Sequence, residues 1–508
     1  MTDLSLKGSA HSGAAPLIPA TPSARAMRTD PEHGGISRRN LLAAGAAAAI
    51  VALPRGLARA ALVREHRLVA GAGQASLAGR GYPATEVWAY DGSVPGPALR
   101  VRQGERLRVV VANRLAEDTT VHWHGVRVPN AMDGVPDVTQ APIAPGAAFV
   151  YEFDTPDAGT YWYHPHQRSY EQVARGLYGP LVVEEREPID VDRDVLWVLG
   201  DWRLLPDASI SGEFGNPMET AMAGRIGNTV TVNGQVTDTF AVRAGERIRL
   251  RLVNAATARI FGLEFRNHRP RVIALDGQPV APHEPEDGRV ILGPAQRADL
   301  VLDLTGAAGT RAMIADTFYQ GLEYRLLDLA YDTEPLRARP PDASIALAAN
   351  TLPEPDLTGA ERHEIVMRGG MMGGMMGGAG MRGMMEGMSH GGGMMGGGMG
   401  MAWTFNGVAA TDHDMRPMLE LKLGRSYVLA LANETAWWHP IHLHGHSFRV
   451  LRRDGAPTRL REWRDTVLLS PRERVEIAFV TDNPGAWMIH CHVLDHQHAG
   501  MMAMIEVA

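Results

Sequence analysis

The sequence predicts an all-β protein made of three consecutive β-sandwich domains. Most of the chain consists of short β-branched segments separated by Gly, Pro, Asn and Asp, a pattern typical of sandwiches and barrels. One strand motif occurs three times, and each copy opens with Gly and ends with Asn nine positions later. The copies are GERLRVVVAN (104–113), GERIRLRLVN (245–254) and GRSYVLALAN (424–433). Their spacing implies domains of about 150 residues, a common domain size.

Residues 1–60 are predicted to be an export signal that is not part of the fold. Arg38 and Arg39 precede an apolar run over 43–54, and the segment 58–60 (Ala-Arg-Ala) is a small-residue cleavage site. The apolar run is too short to span a bilayer, which takes about 20 residues. The sequence therefore predicts twin-arginine export to the periplasm, a mature chain that begins near Ala61, and no membrane span.

The predicted domains cover residues 61–187, 188–335 and 336–508. The third contains a Met-rich insert over 367–401, in which 13 methionines alternate with glycines. Because a Gly-rich chain loses much entropy on ordering, we expect no part of this insert to pack in a core. Thioethers are soft ligands that favour Cu(I). The insert is therefore either a segment that collects Cu(I) or a plain flexible insertion.

Domains 1 and 3 each carry two His-x-His pairs at matching offsets from the repeated motif. The pairs are His122/His124, His164/His166, His442/His444 and His490/His492. Domain 2 has Leu263/Phe265 and Ile314/Asp316 at the equivalent positions and so lacks them. Residues i and i+2 of a strand point to the same face, so each pair directs two imidazoles one way. Eight imidazoles that converge between domains 1 and 3 would suit copper, zinc or iron.

Cys491, the only cysteine, lies between two of these histidines and is predicted to point to the opposite face. There it would meet His496 and Met501, with His439 as the second imidazole. Two His, one thiolate and a distant Met form the ligand set of a blue-copper electron-transfer site. A single cysteine cannot form an intramolecular disulfide in an exported protein, which favours a metal-bound thiol.

The net charge of −7 and the lack of any basic run argue against nucleic-acid binding. We expect no nucleic-acid partner and a monomeric protein.

The segments HWHG, HPH, HPIHLHGHSF and HCHVLDHQHAGM together resemble the four copper motifs of three-domain multicopper oxidases. The pattern is most similar to bacterial copper-efflux (cuprous) oxidases and bacterial laccases. This resemblance implies a cupredoxin-like Greek-key sandwich for each domain and four copper ions. It implies a type 1 copper on His439, Cys491, His496 and Met501, a type 2 copper on His122 and His442, and two type 3 coppers on His124, His164, His166, His444, His490 and His492.

The family resemblance also bears on the residues around the coppers. Asp133 occupies the position of an acid near the type 2 copper of copper-efflux oxidases, so Asp133 and Cys491 are the candidate catalytic residues. The alternative for Asp133 is a simple turn residue before Gly134. Gln497 stands where several members have an acid, and Thr435 and Trp437 replace the Asp and Met that bind substrate copper in the best-matching oxidases.

The resemblance implies that four one-electron oxidations at the type 1 copper are coupled to the reduction of O2 to water. We expect a cuprous oxidase in copper tolerance, with Cu(I) as the reductant. The alternative is a broad-specificity laccase acting on small phenols and aromatic amines. A non-enzymatic scaffold is disfavoured because all twelve ligand positions are filled. A copper nitrite reductase is disfavoured because it would have no use for the type 3 histidines.

Overall fold

The computed structural model describes residues 62–371, 402–410 and 416–508. Within these ranges the chain forms three consecutive pairs of β-sheets. The all-β prediction is therefore confirmed. The helices of the described ranges are short, and none has the length and apolar character needed to cross a membrane. The predicted export signal and residues 372–401 of the predicted insert lie outside the described residues.

The first pair of sheets uses strands β1 to β8. Their bounds are Val63–Ala75, Thr85–Tyr90, Leu99–Arg102, Arg106–Asn113, His122–His124, Ala148–Asp154, Gly159–His164 and Gly179–Glu184. One sheet has the order β2-β1-β4-β6 and the other β3-β8-β7-β5. A 3-10 turn, Asn130–Met132, and helix α1, Ser169–Gln172, lie in the connections.

The second pair uses strands β9 to β19. Their bounds are Arg193–Trp202, Thr229–Val232, Thr239–Val242, Arg247–Asn254, Phe261–Phe265, Arg271–Leu275, Gln278–His283, Arg289–Leu292, Arg297–Asp303, Arg311–Asp316 and Tyr324–Tyr331. The orders are β10-β9-β12-β17-β14-β15 and β11-β19-β18-β13-β16. Helix α2, Pro217–Thr220, and a 3-10 turn, Glu286–Gly288, complete this part.

The third pair uses strands β20 to β31. Their bounds are Glu361–Arg368, Thr404–Phe405, Pro417–Leu421, Ser426–Asn433, His439–Leu443, Phe448–Arg453, Ala456–Pro457, Trp463–Arg464, Thr466–Leu469, Arg474–Val480, Gly485–Cys491 and Met502–Val507. One sheet has the order β21-β20-β23-β29-β25-β26, with β27 on β25, and the other β22-β31-β30-β24-β28. Helix α3, Leu494–His498, follows β30.

Each sheet takes its strands from one third of the chain. The segments that join the sheet pairs cover residues 185–192 and 332–360. The domain limits 61–187, 188–335 and 336–508 remain predictions.

The three copies of the repeated motif occupy the same place in their sheets. Strands β4, β12 and β23 each lie between a parallel neighbour (β1, β9 or β20) and an antiparallel one (β6, β17 or β29). The glycines that open the copies, Gly104, Gly245 and Gly424, all have positive φ between 73° and 88°. A side chain is strained in that conformation, which explains the repeated glycine.

The repeated asparagine also has one structural role in all three copies. Asn113, Asn254 and Asn433 are buried, and each donates side-chain N–H groups to two carbonyl oxygens. Each side-chain oxygen accepts the backbone N–H two residues later. The asparagine thus supplies the buried polar groups of the following loop with hydrogen-bond partners.

Each pair of sheets encloses its own apolar core. In the second core, Leu263, Phe265 and Ile314 fill positions that histidines occupy in the other two repeats. A further apolar cluster, which includes Trp162, Trp202 and Leu494, draws on all three sheet pairs. These residues pack the second pair of sheets against the other two.

The expectation that no residue of the 367–401 insert packs in a core is wrong for its first residue. Met367 belongs to β20, where it is opposite Phe405 and fully buried in the third core. It continues the alternating burial of β20 rather than beginning the Gly-rich segment.

We expect Asn254→Ala to lower the free energy of unfolding by about 2–4 kcal/mol, because it leaves buried carbonyl and N–H groups without partners. Thermal and urea unfolding, followed by circular dichroism, measure this. Ala at the exposed Gln235 of the same sheet pair is the control and should change stability by less than about 0.5 kcal/mol. Equal losses in the two variants would contradict the role assigned to the repeated asparagine.

Candidate metal centre

The four His-x-His pairs lie on or beside strands that are adjacent within their sheets. His122 on β5 is opposite His164 on β7, and His442 on β24 is opposite His490 on β30. Only the first pair lies wholly within a strand. In the other three, the second histidine follows the last strand residue.

All eight rings are buried and converge from the first and third sheet pairs. Their nitrogen atoms form groups in which all ligand atoms lie within 4.8 Å of one another. Three of these groups are His122/His124/His442, His124/His164/His492 and His166/His444/His490. The predicted convergence of the pairs is therefore present in the structure.

Some groups hold both members of a pair: His122 and His124 lie together with His442, and His164 and His166 lie together with His122. In other groups the members are separate, since His164 lies with His124 and His492, and His166 lies with His444 and His490. Three of the pairs continue past the strand end, so their second rings are released from strict strand geometry. The sequence pattern predicts a shared direction for each pair, and the structure places pair members both in shared groups and in neighbouring ones.

In four of the rings, the outer nitrogen, which is the one that faces away from the other rings, lies close to a main-chain carbonyl oxygen. His122 Nδ1 lies 2.8 Å from the Asp133 oxygen, and His442 Nδ1 lies 2.9 Å from the Asp465 oxygen. His164 and His490 contact the carbonyl oxygens of Pro165 and Cys491 at 3.1 and 2.9 Å. A carbonyl oxygen can only accept, so we assign N–H to each Nδ1 and a lone pair to each Nε2.

Inner nitrogens then face one another. His444 Nε2 and His490 Nε2 lie 3.1 Å apart as two lone pairs, because Asp133 Oδ2 accepts the N–H of His444 Nδ1. His492 Nε2 lies 3.4 Å from the lone pair of His164 Nε2. The Nε2 atoms of His122, His166 and His442 are buried and have no hydrogen-bond partner among the described residues. Buried lone pairs that meet in this way are unfavourable unless a cation lies among them.

The protonation states also suit metal binding. Burial, reinforced by neighbouring imidazoles, lowers the pKa of His442 and His166 well below the usual range. Burial lowers the pKa of His490 to about 4. These three imidazoles are therefore neutral at pH 7, as metal ligands must be. Donor type, tautomers and unpartnered lone pairs all fit a metal cluster.

A second group lies on the other side of β30. His439 Nδ1 is 3.4 Å from Cys491 Sγ, His496 Nδ1 is 3.7 Å from the same sulfur, and the two nitrogens are 3.2 Å apart. Met501 is fully buried in the same core, and its carbonyl oxygen accepts the Cys491 N–H at 3.0 Å. Cys491 does point away from the eight-ring cluster, as predicted.

Each ring of this second group makes a hydrogen bond through the nitrogen that faces away from the sulfur, and this bond fixes the orientation of the ring. His439 Nε2 donates to Thr435 Oγ1 at 2.8 Å, and His496 Nε2 donates to the Met222 oxygen at 2.9 Å. Thr435 in turn donates to the repeated asparagine, Asn433, at 2.7 Å. Both Nδ1 lone pairs therefore face the sulfur. Burial raises the pKa of the Cys491 thiol and lowers that of His496 to about 3, so the thiol needs a metal to ionise.

Asp133 is fully buried beside the eight rings. Its Oδ2 accepts from His444 Nδ1 at 2.8 Å, and its Oδ1 has no hydrogen-bond partner within the described part of the chain. It also ends the 3-10 turn Asn130–Met132, and a Cβ at Gly134 would clash with the Val121 backbone. Asp133 thus has the turn role and also contacts the cluster.

The structure adds two charged residues that sequence reasoning missed. Asp465 supplies the carbonyl oxygen behind His442, and its Oδ1 lies 3.2 Å from His124 Nε2. Arg297, on β17 of the second sheet pair, donates to both oxygens of Asp465. Both residues lie outside the four histidine-containing motifs, and Arg297 is in the sheet pair that has no histidine pair.

Other residues outside the predicted ligand set have defined places. His446 is buried behind the cluster, with Nδ1 3.2 Å from the His444 oxygen, whereas His498 is exposed and stacks on Tyr170. The Gln497 amide lies 3.4 Å from His166 Nδ1. Position 497 therefore adjoins the cluster but carries an amide rather than an acid.

Residues 72–188, 193–333 and 393–508 each match a sequence family described as multicopper oxidase. The chain is 32% identical to multicopper oxidase MmcO of Mycobacterium tuberculosis, over 84% of either chain.

The chain belongs to the multicopper oxidase family.

Two other relatives are less similar. Laccase-1 of Botryotinia fuckeliana is 29% identical over 81% of this chain and 77% of the laccase. A copper resistance protein A homolog of Pseudomonas syringae is 26% identical over 87% of this chain and 92% of its own. Among solved structures, a multi-copper oxidase from Pseudomonas thermotolerans superposes with a TM-score of 0.76 at 36% identity, covering 88% of this chain and all of its own.

Family membership makes this multicopper oxidase an oxidoreductase of the laccase or cuprous oxidase type. It also establishes four copper ions, one of type 1, one of type 2 and two of type 3, as the cofactors. The predicted cupredoxin fold is confirmed by the solved multicopper oxidase structures.

We expect Thr435→Val to destabilise the copper-free protein by about 1–3 kcal/mol, because the buried His439 N–H loses its acceptor. Thr435→Ser keeps the hydroxyl, so we expect its loss of stability to be less than half that of Thr435→Val. Urea unfolding of both variants in the presence of a chelator tests this. Equal stability of the Val and Ser variants would contradict the role of the hydroxyl.

Proposed function

We propose that the eight rings hold a trinuclear copper cluster. The type 2 copper is assigned to His122 and His442. The type 3 coppers are assigned to the groups His124/His164/His492 and His166/His444/His490. Support comes from the inward lone pairs and the neutral imidazoles, which suit copper ions.

We assign the type 1 copper to His439, Cys491, His496 and Met501. The convergence of two Nδ1 lone pairs on one buried sulfur supports this assignment. Within the described residues, Cys491 is the free cysteine, so the site has a single thiolate. A soft thiolate with two imidazoles and a thioether favours blue copper over structural zinc.

When bound, the coppers would supply one-electron oxidation at the type 1 site and four-electron reduction of O2 to water at the cluster. The chain connects the two sites directly, since His490 and His492 flank Cys491 in sequence. Burial of all three excludes water from this connection. Asp133 is proposed to relay protons, because its Oδ1 is buried 3.2 Å from His122 Nδ1 and has no hydrogen-bond partner among the residues that the structure describes.

We propose that the reductant is Cu(I). The observation that carries this proposal is a set of three consecutive carbonyl groups, those of residues 220–222. They accept hydrogen bonds from Trp403 Nε1 at 2.7 Å, Met371 N at 2.6 Å and His496 Nε2 at 2.9 Å. Met371 and Trp403 flank residues 372–401, in which eleven further methionines lie. Both ends of the thioether-rich segment are thus tied beside a type 1 ligand.

A laccase is the second candidate. Trp438 is 37% exposed, packs edge-on to Phe318 at 5.3 Å, and directly precedes His439. Such aromatic side chains near the type 1 ligands could bind small phenols or aromatic amines. Glu434, the acid that precedes Thr435, accepts from Arg368 Nε at 2.8 Å, so its carboxylate is engaged by an arginine.

We also propose twin-arginine export to the periplasm. Support comes from Arg38-Arg39, the apolar run and the cleavage site in residues 1–60.

Copper-loaded protein should show an intense blue absorption band and a near-ultraviolet shoulder. Cys491→Ser should abolish the blue band, because the thiolate ligand is lost, while the eight cluster histidines keep their copper. Absorption spectra and copper counts per chain test this. The matched control is Ser at Ala503, a partly buried position on the adjacent strand β31, which should retain the band. A fully loaded wild-type protein without a blue band would overturn the copper assignment.

Replacement of the eleven methionines within 372–401 by leucine keeps apolar side chains but removes the thioethers. We expect KM for Cu(I) to rise about tenfold or more, while the oxidation of a phenol changes by less than about twofold. Steady-state kinetics with both reductants measure this. Met367, which lies in β20, and Met371, whose N–H donates to the Ala221 oxygen, remain unchanged. Unchanged Cu(I) kinetics would favour the laccase alternative.

A further inference from the structure

The second pair of sheets contributes no ring to the histidine cluster, yet one of its side chains reaches it through a single intermediate. Arg297 opens β17 and is fully buried. Its Nη1 and Nη2 donate to Asp465 Oδ1 and Oδ2 at 2.8 and 2.6 Å. This bidentate geometry fixes the plane of the carboxylate as well as its position.

Asp465 contacts two rings at once. Its main-chain oxygen accepts from His442 Nδ1 at 2.9 Å, and its Oδ1 lies 3.2 Å from His124 Nε2. The two rings stack with centroids 3.7 Å apart, and both belong to the group that contains His122. The position of the Asp465 residue therefore sets the orientation of both rings.

Arg297 is itself fixed from the first and second sheet pairs. Its Nε donates to the Thr160 oxygen on β7 at 3.1 Å, and its backbone N–H donates to Asp276 Oδ1 at 2.9 Å. Gly125, the glycine of HWHG, leaves the room that the pair needs, because a Cβ there would clash with Arg297 Nη2 and Asp465 Oδ2. The guanidinium is held by groups that do not depend on the histidines.

A second acid beside the cluster provides a comparison. Asp133 also supplies its carbonyl oxygen to one ring, His122, and its carboxylate to another, His444. Its Oδ1 lies 3.2 Å from His122 Nδ1 and has no hydrogen-bond partner within the described residues, whereas both oxygens of Asp465 accept from Arg297. Of these two acids, Asp465 is therefore the one that an arginine holds.

We propose that Arg297 is a positioning residue of the metal centre, which fixes His124 and His442 by clamping Asp465. The second sheet pair, which has lost the histidines, thereby takes part in the geometry of the cluster. This inference rests on the proposed assignment of copper to the eight rings. Partners that orient metal ligands in this way commonly alter metal affinity about 10- to 100-fold when they are removed.

The test compares copper-loaded wild type with Arg297→Gln, Arg297→Lys and Arg249→Gln. Arg249 is the matched control, because it is equally buried and makes a bidentate pair with Glu185, and it does not touch Asp465 or the rings in the described structure. A chelator titration follows the type 2 electron paramagnetic resonance signal and the blue absorption of each protein.

We expect Arg297→Gln to lose type 2 copper at a chelator concentration about 10- to 100-fold lower than wild type, with an altered hyperfine splitting and an intact blue band. Arg297→Lys, which keeps the charge but cannot make the bidentate contact, should be intermediate. Arg249→Gln should lose thermal stability and keep the wild-type type 2 signal.

The inference would be overturned if Arg297→Gln had the same type 2 signal and the same chelator titration as wild type. It would also be overturned if Arg249→Gln changed the signal and the titration as much as Arg297→Gln does. If Arg297→Gln does not fold, Arg297→Lys decides, and a wild-type titration there overturns the inference. Each of these outcomes leaves the blue band and the wild-type signal in place. The absence of both from loaded wild-type protein would instead reject the copper assignment.

Discussion

The structure depends on one constraint, which is that many neutral imidazoles are buried together and each must direct a lone pair inward. Such an arrangement requires an acceptor behind the ring, because the outer N–H would otherwise be buried without a partner. Main-chain carbonyl groups meet this need for His122, His164, His442 and His490. Loops and strand ends provide such carbonyl groups, because the carbonyl groups inside a strand already accept hydrogen bonds from the neighbouring strands. This accounts for the position of the cluster at the ends of β5, β7, β24 and β30.

The repeated strand motif supplies the rigid base for these loops. Each copy ends in a buried asparagine that makes hydrogen bonds to the next loop. In the first and third copies, that loop leads into the strand of the first histidine pair. In the third repeat the same asparagine accepts from Thr435, which holds His439. The second repeat keeps its asparagine but places Leu263 and Phe265 in its core. The strand motif and its asparagine are therefore present with or without the histidine pairs, which occur in two of the three copies.

Sequence reasoning could predict the elements that repeat. The matched offsets of four histidine pairs predicted that their rings converge, and strand alternation placed Cys491 on the face opposite His490 and His492. The way in which the rings combine into several overlapping groups was not predictable, because it depends on how the chain continues past the strand ends. No feature of the sequence marked Arg297, because its role depends on a contact with Asp465, which is 168 residues away along the chain. Met367 was misplaced because its composition matched the insert, although its burial pattern belongs to β20.

The two acids beside the cluster make similar contacts to the rings but are held in different ways. Asp133 and Asp465 each give a carbonyl to one ring and a carboxylate to another. A carboxylate that accepts a bidentate guanidinium is fixed both in its position and in its plane. Asp465 is therefore suited to fixing rings. The Oδ1 of Asp133 lies 3.2 Å from His122 Nδ1 and has no guanidinium partner in the described structure. Within the described residues the Asp133 carboxylate is thus held by histidines, whereas an arginine of the second sheet pair also holds that of Asp465.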